Sequence, residues 1–208
     1  MLYDERDPKT VEGYPFFIPS NSSLKIPFPE KTKKQARQHL EWFLELLPNR
    51  ISDLKDMISQ TDPSLLDKLD YSPQSLIFIF EWFLNRAVIM KRSREDIKSQ
   101  KESLPDFLKG QPGNITTHTL SPESLSLLYS IGVYMGECFV KHDQRLKWGI
   151  GPGTKVVGAN EPVILGFKKN IPFIPFWLME TIAVKVSENR GIVTGLYDLF
   201  HSKLKELP

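Results

Sequence analysis

Four side chains near the middle of the chain could do chemistry together: Glu137, His142, Asp143 and Trp148, within ECFVKHDQRLKW. Carboxylate, imidazole and indole N–H groups are the makings of a polar binding site or of acid–base chemistry. Their spacing does not supply a ready pair. Glu137 and His142 are five residues apart, which puts them on different faces if one helix carries both. Cys138 and His142 are four apart and could share a face, as a thiolate and its base do. Cys138, however, sits in an apolar run, where burial raises a thiol's pKa and lowers its reactivity, so a buried structural cysteine is expected. No Cys/His cluster has zinc spacing, and there is no G-x-S-x-G stretch. The reading is therefore no catalytic residue, no metal site and no cofactor, with Glu137, His142, Asp143 and Trp148 as candidates for binding.

The element that must hold these residues starts at Ser121. Its hydroxyl can cap a helix, Pro122 suits the first helical position, and Glu123 favours the positive end of the helix dipole. From Leu125 to Val140 the residues are apolar nearly all round, the mark of a helix buried on several sides. Gly132 and Gly136 lie on one face and would let another backbone approach closely. Glu137 is the one ionisable group inside this run. Burying it unpaired would be costly, so the expectation is a structural acid paired with a Lys, an Arg or a backbone N–H, or one pointing to water near the helix end.

Around that helix the chain reads as one predominantly helical α+β domain over 1–208. Residues 1–30 are rich in proline and aromatics (YPFFIPSNSSLKIPFPE) and should form an extended arm packed on the body. Residues 31–110 should hold the N-terminal helices. An amphipathic helix over 31–47 carries Ala36, Leu40, Phe43, Leu44 and Leu47. Pro48 should break or kink it before a second helix with Ile51, Leu54, Met57 and Ile58. Asp62-Pro63 starts a short helix. Ser72-Pro73 opens SLIFIFEWFLNRAVIM, a core segment expected to continue into the polar stretch after residue 91 and to end before Pro105. Gly110, Pro112 and Gly113 mark an exposed loop. Residues 121–208 should hold the central helix, a small antiparallel sheet and the C-terminal helices. The strand-like runs are Leu146–Ile150, Lys155–Val157 and Val163–Phe167. The glycines between them lack the G-x-x-x-x-G-K-S/T order of a phosphate loop, and a hairpin loop is the better reading. The last helix should carry Ile192, Leu196, Leu199, Phe200 and Leu204 on its apolar face.

Composition excludes some classes. There are 27 basic and 25 acidic residues, a balance that gives no support to nucleic-acid binding. No apolar run reaches the ~20 residues of a membrane span, and the start, MLYDERDPK, does not read as a signal peptide. One cysteine excludes an internal disulfide and fits a reducing compartment, so a cytoplasmic location is expected. The sequence does not set the oligomeric state.

The segment YSIGVYMGECFVKHDQRLKWGI followed by NEPVILGF resembles a theme in uncharacterised bacterial cytosolic proteins of the polymorphic-toxin immunity type. A helix carrying G-E leads through a polar exit to a K-W strand and then to a second strand. The resemblance implies a non-catalytic protein-binding protein that neutralises a toxin, and it transfers no catalytic residue. Two alternatives stand beside it: a small enzyme whose pocket uses Glu137, His142 and Trp148, and a structural or regulatory scaffold that works through the proline-rich arm.

Overall fold

In the computed structural model, residues 11, 13–19, 22–103, 115–153 and 156–208 are described. The arm enters without regular structure from Tyr14 to Pro19, and Val11 and Tyr14 are buried. Ser126 Oγ donates to the Pro15 carbonyl at 2.7 Å and ties the arm to the body. Two short 3₁₀ turns follow, Ser22–Lys25 and Phe28–Glu30, as four prolines in this region would allow. Lys31, itself buried, closes this region by donating from Nζ to the carbonyls of Leu24 (2.9 Å) and Ile26.

Helix α1 runs unbroken from Lys33 to Thr61. Thr32 and Gln35 form a capping box at its start. The break expected at Pro48 does not occur. Pro48 and Leu44 are both exposed, so the carbonyl that loses its donor lies on the water side of the helix. Packing on the other side holds both halves together, through Ala36, His39, Phe43, Arg50, Ile51, Leu54 and Ile58. The buried stripe thus differs from the expected one: Leu44 faces out, while His39 and Arg50 face in.

A 3₁₀ turn at Pro63–Lys68 leads to α2, Ser75–Leu84. This helix stops at Leu84, well short of the continuation that the sequence reading expects. The β-favouring residues after it are drawn into β1, Ile89–Lys91, which pairs antiparallel with β2, His118–Leu120. A separate helix α3, Arg94–Ser103, then begins at Ser93, whose Oγ accepts from Asp96 N at 3.0 Å. The expected Gly110–Gly113 loop lies outside the described residues.

The expected central helix is α4, Pro122–His142, with Ser121 Oγ accepting from Ser124 N at 3.2 Å. Leu127, Leu128, Ile131, Val133, Tyr134, Met135, Cys138 and Phe139 on it have no exposure at all (0%). Each such apolar side chain contributes roughly 1.5–3 kcal/mol when fully buried. Tyr134 joins this core to α2: its hydroxyl donates to Ser75 Oγ at 2.8 Å and accepts from Tyr71 N at 3.0 Å.

The hairpin comes next. Strands β3 (Lys147–Ile150) and β4 (Pro162–Leu165) are antiparallel, with Trp148 opposite Ile164. Val156 and Val157 lie in the turn region between them and are exposed; they form no strand. Helices α5 (Pro175–Ser187) and α6 (Gly195–Leu204) complete a single α+β unit that is mainly helical. On α6, Leu196 and Phe200 are buried, but Ile192 precedes the helix and is exposed. Among the described residues, no helix is long and apolar enough to cross a membrane.

Candidate functional site

Of the four residues singled out in the sequence, the fold brings two together. Trp148 Nε1 donates to Glu137 Oε1 at 2.8 Å. Glu137 is half-buried, and its partner is an indole rather than the expected cation or backbone donor. The indole ring lies against Gly136, where an added Cβ would come within 2.3 Å of the ring. Gly132 likewise accommodates Met179 of α5, whose Cγ would be 2.6 Å from an added Cβ. The close approach at both glycines is therefore made by side chains, not by a neighbouring backbone.

His142 and Asp143 lie one turn further on and point elsewhere. His142 is exposed, with its ring edge-on to Phe200 at 5.6 Å. Asp143 takes a fork of contacts from Arg145: Nε at 2.9 Å, Nη2 at 2.6 Å and the backbone N–H at 2.9 Å. These hydrogen bonds hold its carboxyl down to about 2. Cys138 is fully buried, and burial pushes its thiol up to about 12, so it is not a poised nucleophile.

A second constellation, absent from the sequence reading, lies behind Trp148. The Trp148 ring packs edge-on against Phe43 of α1 (4.8 Å), and Phe43 in turn meets Phe176 of α5 (5.8 Å). Phe43 and Phe176 line a cavity of about 290 Å³, walled further by Phe17 and Pro19 of the arm, Phe28, Trp42 and Tyr129. This is near the lower end of ligand-site volumes. Its charged and polar lining comes from three elements and one loop: His39 and Arg50 on α1, Tyr129 on α4, Glu180 on α5, and Glu161 just before β4. None of Glu137, His142, Asp143 and Trp148 is among the lining residues.

Arg50 is the outlier. It is 8% exposed, and its buried Nε has no hydrogen-bond partner. Among the described residues, no carboxylate comes within ion-pair distance of it. The Phe17 ring lies over it, 4.0 Å from the guanidinium carbon. Burial draws its pKa down to about 10, and the Tyr14, Tyr129 and Asp53 charges only partly oppose this. A second cavity of about 260 Å³ shares Phe17, Arg50 and Tyr129 with the first.

His39 stands between Phe28 (4.8 Å) and Trp42 (5.1 Å), both edge-on, and its buried Nδ1 has no partner. Burial first and the Lys31 charge second lower its pKa to about 4, so the ring is neutral at pH 7. Burial and then the Glu180 charge raise the pKa of Glu161, which lines the same cavity. Tyr129 feels both acids as well as Arg50, and its hydroxyl makes a long contact (3.5 Å) with Glu180 Oε1. Burial pushes this phenol up to about 12, so it remains protonated. Asn160 fixes Glu161 in place. It adopts the left-handed conformation (φ 64) that asparagine tolerates, and its Nδ2 donates to the Phe28 and Lys31 carbonyls at 3.1 Å each.

One signal for this site was present in the sequence. Arg50 falls seven residues after Phe43 and four before Leu54, at a position on the apolar stripe of α1. Glu161, Glu180 and Tyr129 carry no such mark. Among the described residues, no cluster of three or more His, Cys, Asp or Glu could hold a metal. The chain matches no family model, curated protein or solved structure in the comparisons made with known proteins.

Proposed function

We propose that the chain is a binding protein whose recognition site is the aromatic cleft between the arm, α1, α4 and α5. The observation that carries this is Arg50, a buried guanidinium with no carboxylate partner among the described residues, opening on a preformed cavity. Burying a charge without a partner is expensive, and proteins keep such groups where function uses them. In its most specific form the ligand is part of a toxin that this protein neutralises; the sequence resemblance alone supports that version.

A second reading rests on Glu161. A carboxyl raised by burial and by a second carboxylate is suited to general acid–base work. Turnover of a bound compound that disappears in Glu161→Gln would favour it.

The test of the binding reading is a ligand screen against the intact chain, read by melting temperature and by Trp42 emission. A ligand at 100 times its Kd stabilises by about 2.7 kcal/mol, which raises Tm by roughly 5–10 °C in a chain of this size. Trp42 lines the cleft, so the emission change should vanish in Trp42→Phe while the stabilisation remains. Stabilising ligands whose emission change persists in Trp42→Phe would place the binding site elsewhere.

A further inference from the structure

The lining of the cleft carries charges of both signs, and among the described residues no ion pair joins them. Arg50 lines it with a buried Nε that has no hydrogen-bond partner among the described residues. Glu161 and Glu180 line the same cavity, burial and the Glu180 charge raise the pKa of Glu161, and among the described residues neither carboxylate forms an ion pair. Glu161 is half-buried and Glu180 is exposed at the surface, and Tyr129 lines the same cavity with its hydroxyl 3.5 Å from Glu180 Oε1. The fold rather than chance holds them in place. Arg50 is set by α1 and capped by Phe17, Glu180 sits one turn after Phe176 on α5, and Glu161 is fixed by the Asn160 hydrogen bonds.

We propose that the cleft binds a zwitterion, with a carboxylate on Arg50, an ammonium group on the Glu161–Glu180 pair, and an apolar body against Phe43 and Phe176. This rests on the cleft being the recognition site. A planar carboxylate matches the guanidinium fork. A phosphate matches the site poorly. Lys31, the nearest other buried cation, is committed to backbone carbonyls, and two carboxylates in the same cavity repel a dianion. The ammonium answers the opposite need: one cation between two carboxylates removes their mutual repulsion. His39, neutral and with a free Nδ1, offers the ligand one further polar contact.

The experiment uses one scaffold in four forms with the intact chain: 4-(aminomethyl)phenylacetic acid, its methyl ester, its N-acetyl derivative, and the compound carrying both blocking groups. Binding is read by calorimetry and Trp42 emission at pH 7.5. The zwitterion should bind at least about tenfold more tightly than either singly blocked form, as expected for losing a hydrogen bond to a charged group. Arg50→Met should abolish the difference between the zwitterion and the ester while preserving the difference from the N-acetyl form. Glu161→Gln combined with Glu180→Gln should do the reverse. Equal binding of all four forms would overturn the zwitterion proposal and leave the cleft standing as a binding site. Failure of all four, including the uncharged compound, to bind would overturn the cleft reading and the proposal with it. The comparison among the four compounds on the parent chain decides the matter even if a variant does not fold.

Discussion

Replacing Arg50 with methionine should make the protein more stable. Burial holds the guanidinium pKa near 10 against an ordinary 12.5. At about 1.4 kcal/mol per tenfold, keeping this side chain charged costs the folded state about 3 kcal/mol. The sign follows from the direction of the shift. A base with a lowered folded pKa binds its proton more weakly when folded, so the penalty is complete at every pH below about 10 and fades only as pH rises toward 12.5. Against it stands the Phe17 ring, 4.0 Å away, worth about 1–2 kcal/mol for a desolvated cation. Methionine keeps much of the arginine stem's length, packs against the same aromatic walls and carries no charge. The net expectation is a gain of about 1–2 kcal/mol, or a Tm higher by roughly 5 °C. Urea denaturation at pH 7 should show a higher midpoint with an unchanged slope. Replacement of buried ion groups by apolar residues has this effect elsewhere. A loss of more than about 1 kcal/mol would refute the reasoning. It would mean that the folded protein already compensates the charge, and the case for Arg50 as a recognition group would go with it.

Further expectations concern the neighbouring elements. Glu137→Leu removes the acceptor of the Trp148 indole N–H and should cost about 1–3 kcal/mol, while Glu137→Gln keeps a neutral acceptor and should cost about half as much; urea titrations of both variants check the order. Gly136→Ala would drive a methyl into the Trp148 ring, pinned between Glu137 and Phe43, at about 1–3 kcal/mol and with an altered near-ultraviolet dichroism signal; an unchanged signal and stability would show that the ring is free to move. For His39 the unfolded chain binds the proton that the folded chain refuses, so stability should fall as pH drops from about 6.5 to about 4, and the Tm difference between pH 7 and pH 4.5 should shrink in His39→Gln. Asp143 acts in the same direction at lower pH: the stability of its Arg145 fork is present above the usual carboxylate range and is lost as pH falls toward about 2. The pH dependence below 4 should therefore be weaker in Asp143→Asn.

Local signals in the sequence were enough wherever an element's own residues decide its form. Ser121-Pro122 starts α4 because a hydroxyl cap and a proline suit a helix N-terminus in any context, and the apolar run after it has to be buried. The β3–β4 hairpin follows from short β-favouring runs separated by glycine and proline. Where two tendencies competed, packing decided. Pro48 does not break α1 because the apolar residues on both sides of it face the same core. Helix α2 stops at Leu84 because Ile89–Lys91 finds a strand partner nearly thirty residues away, at His118–Leu120. The candidate site divides in the same way. Glu137 and Trp148 stood out as polar groups at the edge of an apolar helix, and the fold does pair them. The cleft was illegible apart from the misplaced charge of Arg50, because its walls come from the arm, three helices and a loop more than a hundred residues apart in sequence. What Arg50, Glu161 and Glu180 mean depends on their sharing a cavity without an ion pair among the described residues, and burial and pairing are properties that only the tertiary structure confers.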